Sequence, residues 1–184
     1  MELGNTYTTR FQAVNKVTYP VFAFDYPSNW TISDPEIDSF REIVALTNER
    51  GVVIRHAQLD RGSVSGDGTW RMDIEKVADS SFIPDYVQAT DLRGLGTFMV
   101  ASAVCTGSLS GDGSYADIAN SPMNYAVLPE SRVGVAEGLR GDNSSALSFN
   151  YAASLSFATV DVQGGLTPRE TREVIAILSS FRTA

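Results

Sequence analysis

The 184 residues hold one cysteine, one histidine and two lysines, and each scarcity closes off some chemistry. A lone cysteine, Cys105, cannot form an internal disulfide or a multi-cysteine metal site, and it fits a reducing cytosol and a disulfide-free exterior equally well. A lone imidazole, His56, makes any serine or cysteine catalysis depend on one residue, and no Gly-x-Ser-x-Gly turn offers a nucleophile to it. Lys16 and Lys76 are the only lysines, the net charge is −8, and no segment gathers the arginines into a stripe, which excludes a nucleic-acid partner. No apolar run approaches the roughly 20 residues that a membrane-spanning helix needs, and the acidity opposes adsorption to anionic lipid. The opening Met1-Glu2-Leu3-Gly4 has neither a basic nor an apolar leader region, so any signal segment is expected to have been removed before it.

What is present reads as one α+β domain over 1–184, an antiparallel sheet with flanking helices and a C-terminal helix packed on it. The hydrophobic fraction is 43% and the charged fraction 20%, ordinary globular usage with no composition shift to mark a linker. Thr167-Pro168-Arg169-Glu170 places a capping hydroxyl, a proline suited to the first helical position and a glutamate able to reach back, so a helix begins there. Val174, Ile177, Leu178 and Phe181 give it one apolar face. Before it, Leu147 to Phe157 alternate apolar and small polar residues as a half-buried strand does, with Phe149, Tyr151 and Leu155 expected under the helix. Trp70, Met72 and Ile74 alternate with Arg71, Asp73 and Glu75 in a second strand, and Val100 to Cys105 form a third. A short helical turn is expected near 35–39, then a hairpin through Asn48-Glu49-Arg50-Gly51.

The entry Phe22-Ala23-Phe24-Asp25-Tyr26-Pro27-Ser28-Asn29-Trp30 is an apolar strand followed by Tyr-Pro-x-x-Trp. With the closing helix Glu173 to Arg182 it resembles the PsbP family, whose fold group also includes the Mog-type factor that binds the small GTPase Ran. The resemblance implies an antiparallel sheet with helices on both sides and a non-catalytic binding or assembly role outside the cytoplasm or at the cell surface. The acidic, lysine-poor composition is also similar to that of a bacterial surface lipoprotein ectodomain.

For an enzyme, the competing reading is a small hydrolase or ligand-converting enzyme built from His56, Arg55 and Asp73. A structural strand histidine is the plainer reading. Asp73 and Glu75 share the polar face of one strand, which suits solvent as readily as a groove. Arg140-Gly141-Asp142 reads as a polar turn, and Asn29-Trp30-Thr31 and Asn143-Ser144-Ser145 matter as glycosylation sites only on a eukaryotic secretory route. No cofactor or metal is called for, because Asp67 and Asp112 in the two Gly-Asp-Gly loops lack the further ligands of a calcium loop.

Those loops carry the one suggestive repeat. Ser63-Val64-Ser65-Gly66-Asp67-Gly68-Thr69-Trp70 and Ser108-Leu109-Ser110-Gly111-Asp112-Gly113-Ser114-Tyr115 match position by position, placing Trp70 and Tyr115 alike after Gly-Asp-Gly. Exposed, Trp and Tyr anchor interfaces; buried, they close the edge of a core. Asp67, Trp70, Asp112 and Tyr115 are therefore the candidate ligand-binding residues, for a protein, peptide or glycan partner.

Overall fold

The computed structural model describes residues 1–10, 21–38, 41–59, 68–82, 96–118, 123–142, 146–147, 156–158 and 165–184. Its described strands are antiparallel throughout. β1 (Asn5–Thr8) and β2 (Phe22–Tyr26) are joined by β14 (Arg182–Thr183) in the order β1-β2-β14. β3 (Trp30–Ile32), β4 (Glu36–Ile37), β5 (Arg41–Asn48), β6 (Val53–Leu59) and β13 (Ser156–Ala158) form a second sheet in the order β13-β6-β5-β3, with β4 also on β5. In the third sheet, β7 (Gly68–Asp79), β8 (Phe98–Leu109), β9 (Tyr115–Asp117), β10 (Met123–Pro129), β11 (Gly134–Asp142) and β12 (Ala146–Leu147) take the order β10-β8-β7-β11-β12, with β9 beside β8.

The helix α1 (Pro168–Ser179) starts where the capping signal places it. The Glu170 N–H donates to Thr167 Oγ1 at 3.3 Å, and the Thr167 N–H donates back to Glu170 Oε2 at 2.8 Å. Val174, Ile177, Leu178 and the following Phe181 are fully buried with Phe22, Phe24, Trp30, Val44 and Leu46. Phe149, Tyr151 and Leu155, expected as a strand under the helix, lie outside the described residues. A second buried cluster, with Met72, Ile74, Met99 and Ala103, lies on one face of β7 and β8; β8 also gives Phe98 and Val100 to the first core, whereas Asp73 and Glu75 on the other face of β7 are exposed.

Three expectations are corrected. Among the described residues there is one α-helix, accompanied by a short 3-10 turn over Glu130–Arg132, so helices on both sides of the sheet are not seen. The region near 35–39 is extended where described, because Glu36 and Ile37 pair with Ile43 and Glu42 of β5 and spend their backbone groups on a ladder. Arg140 to Asp142 is the end of β11 rather than a turn, with Arg140 opposite Thr69 and Asp142 opposite Ala146. The hairpin at Asn48 to Gly51 forms as read: Asn48 Oδ1 accepts from the backbone N–H groups of Arg50 and Val52 at 2.9 Å each, and Gly51 takes a φ of 82°. Among the described residues, no helix is long and apolar enough to cross a membrane.

Candidate functional site

The second Gly-Asp-Gly segment is the turn joining β8 to β9. The Ser110 N–H donates to Ser114 O at 2.7 Å, the Gly113 N–H donates to Ser110 O at 3.0 Å, and Gly113 has a φ of 86° that favours glycine. Asp112 is exposed, yet its Oδ1 accepts from the Ser114 hydroxyl at 2.7 Å and the Ser114 N–H at 3.0 Å. Those hydrogen bonds hold its carboxyl below the usual range.

Tyr115 opens β9 half-buried, with the Arg71 guanidinium 5.8 Å from its ring centre. Arg71 reaches it from β7 by lying over Gly107, where a Cβ would stand only 3.2 Å from the guanidinium and from Ala116 O. Arg71 Nε donates to Thr106 Oγ1 at 3.2 Å, and Nη2 donates to Thr106 O at 3.2 Å and to Asp117 Oδ1 at 2.6 Å. The register of β7 and β8 shifts between Arg71 and Met72, making Arg71 partner Gly107 while Met72 partners Cys105. That bulge lets Thr106 meet Arg71. Leu109, in register with Tyr115, is 44% exposed.

Asp67 lies outside the described residues. The Trp70 backbone belongs to β7 and pairs with Ser108, whereas Tyr115 pairs with Leu109. Consecutive positions of a strand belong to alternate faces, so register does not bring positions 70 and 115 to one face of the sheet. Asp112 and Tyr115 share the corner; Trp70 stands two strands away.

His56 sits on the core face of β6, 1% exposed, with ring centres of Phe24, Phe181 and Phe22 at 5.8, 5.7 and 6.4 Å. Burial lowers its pKa to about 3, so the imidazole is neutral near pH 7. Arg55 is exposed on the opposite face of β6, and Asp73 and Glu75 are exposed on β7 in another sheet. The three residues of the hydrolase reading are thus not converging on one concave surface. Among the described residues, no group of three or more His, Cys, Asp or Glu side chains could hold a metal ion.

Sequence reasoning missed two buried carboxylates, Glu42 and Glu173, and saw only the capping role of a third, Glu170. Glu42 falls in the period of two with Val44 and Leu46, which is the signal that could have found it; it is fully buried, accepting from the Tyr7 hydroxyl and, at 2.7 Å, from the Arg10 N–H. Burial and that hydrogen bond raise the Tyr7 pKa. Glu170 adds to its capping role bonds from Asn48 Nδ2 at 3.0 Å and Arg50 Nε at 2.7 Å, fastening the β5–β6 turn to the start of α1. Burial alone would raise its pKa, but the bonds from Thr167, Asn48 and Arg50 outweigh it and hold the carboxyl at about 2. Glu173 accepts from Trp30 Nε1 and Arg169 Nε at 2.9 Å each.

Glu173 also lines an open cleft of about 530 Å³ between the Pro27-Ser28-Asn29 turn and the first turns of α1, where Arg169 and Arg172 project. No protein-family model, curated protein or solved structure matches this chain.

Proposed function

We propose that the chain is a non-catalytic binding or assembly module for a protein, peptide or glycan, working outside the cytoplasm. The observation that carries this reading is the placement of His56. The residue best suited to general-base work at neutral pH is enclosed by three phenyl rings and held neutral, so a substrate reaches it only if the core opens. The PsbP-like resemblance of the entry motif and closing helix supports the same reading and its extracytoplasmic setting.

The β8–β9 corner is the proposed contact surface. Tyr115 is held by Arg71 from behind, which restricts the ring before any partner arrives, and Asp112 and Asp117 give the surface local negative charge. Such a corner suits a polar or basic partner. Asp67 lies outside the described residues and Trp70 belongs to β7, two strands away, so the proposed surface rests on Asp112 and Tyr115.

The test is to screen the parent chain against a glycan array and a library of basic and polar peptides, then repeat it with Tyr115→Ala combined with Asp112→Ala. Ligands recovered by the parent are expected to be lost by the variant while its melting temperature stays close to the parent's. Ligands retained by the variant, or turnover in a broad hydrolase screen that His56→Ala abolishes, would overturn the reading.

A further inference from the structure

The cleft beside α1 offers a different chemistry from the β8–β9 corner. Its floor is Glu173, whose side chain is 4% exposed and whose oxygens are engaged by the Trp30 indole and by Arg169 Nε. That pairing uses one edge of the Arg169 guanidinium; the side chain is 72% exposed, leaving its terminal nitrogens toward solvent. Arg172, one helical turn along, is exposed, and no ion pair or hydrogen bond occupies its guanidinium among the described residues. Ser28 and Asn29 stand exposed on the facing wall. Their turn is fixed by the Trp30 N–H donating to Pro27 O at 3.1 Å.

We infer that this cleft binds a carboxylate carried on an acidic segment of a protein partner, an inference that rests on the binding-module reading. Guanidinium groups present donors in a planar fork that matches a carboxylate, and Ser28 and Asn29 add neutral donors opposite them. Charge selects a monoanion over a phosphate. Arg169 is already half-neutralised by Glu173, and Glu2 also lines the cleft, so Arg172 supplies the free positive charge. A volume of about 530 Å³ is far more than one carboxylate fills and lies within the range of ligand-sized pockets, so the ligand brings further atoms such as peptide backbone. The net charge of −8 does not forbid this, because screening at physiological salt confines repulsion from distant charges to about 8 Å while the contact itself is direct.

The probe is a capped hexapeptide of alternating Glu and Gly, titrated into the isotopically labelled full chain and followed by backbone and arginine side-chain NMR. A Gln-Gly peptide and inorganic phosphate serve as parallel arms. The glutamate peptide is expected to give saturable shifts concentrated at Ser28, Asn29, Arg169 and Arg172, weakened about fivefold or more by Arg172→Gln and by raised salt, as loss of a charge-assisted contact requires. The Gln-Gly peptide is expected not to saturate. Equal binding of the two peptides, unchanged affinity in Arg172→Gln, or tighter binding of phosphate than of the peptide would overturn the inference. Arg172 is exposed, so its loss should leave the fold intact, which the unperturbed remainder of the spectrum verifies. A chain that takes ligands at Tyr115 but ignores the glutamate peptide overturns the cleft alone; one that ignores every probe in both experiments overturns the cleft and leaves the module reading without support.

Discussion

Two places in this molecule bring together an arginine, a carboxylate and an aromatic ring, and burial makes them unlike. Beside α1, Trp30 is 2% exposed and donates to Glu173, which Arg169 covers from outside. At the β8–β9 corner, Arg71 lies against Tyr115 and bonds Asp117, whose side chain is 89% exposed. A buried indole N–H stripped of its acceptor has no water to turn to, whereas Asp117 exchanges Arg71 for solvent at little cost. The first trio fastens the helix to the start of β3; the second shapes a surface.

The sharpest way to break that comparison is to remove the buried side altogether. Truncation after Gly165 deletes Val174, Ile177, Leu178 and Phe181 from the core, each contributing roughly 1.5–3 kcal/mol against a total stability of about 5–15. Circular dichroism of the truncated chain is expected to show no cooperative melt, and a native spectrum with a cooperative melt would refute the role given to α1. Next in size, Glu173→Ala strands the Trp30 N–H and should lower stability in urea by about 2–3 kcal/mol, with Glu173→Gln, which keeps an acceptor, losing less.

His56 sharpens the comparison from the side of charge, since the same core that keeps Glu173 satisfied keeps this ring neutral. Its folded pKa of about 3 lies below the ordinary 6.5, so as pH falls the unfolded chain takes up the proton first. The resulting stability is fully present above about pH 6.5 and is lost progressively toward pH 3. Between pH 6.5 and 5 the loss is about 2 kcal/mol from this group, at about 1.4 kcal/mol per pH unit. Urea titrations of His56→Leu should show that portion of the slope gone, and an unchanged slope would place the proton elsewhere.

The smallest effect belongs to the exposed trio. Asp117→Ala is expected to leave the melting temperature essentially where it was, because a surface ion pair contributes little. A clear drop would mean that the corner supports the core rather than serving as a surface.

Much of the fold was legible where local chemistry decides. The Thr167-Pro168-Arg169-Glu170 cap, the apolar face of α1, the Asn48 to Gly51 turn and the alternation of Met72 and Ile74 with Asp73 and Glu75 all follow from bonds or burial patterns within a few residues. The candidate sites were less so. The repeat suggested that Trp70 and Tyr115 stand together, but a shared sequence position does not set strand register, and the β7–β8–β9 ladder offsets them by one residue.

The amino-acid sequence alone determined the sheet-rich α+β class, the position of the closing helix, the absence of cysteine frameworks and the acidity, because propensity, periodicity and charge are properties of residues and their near neighbours. Tertiary structure alone decided that His56 is enclosed by phenyl rings, that Glu42 is buried against Tyr7, and that the Trp30 indole donates to Glu173, 143 positions away. Burial and the pairing of distant groups arise only when the chain closes on itself, and they fix which ionisable residue is charged, neutral or free to meet a partner.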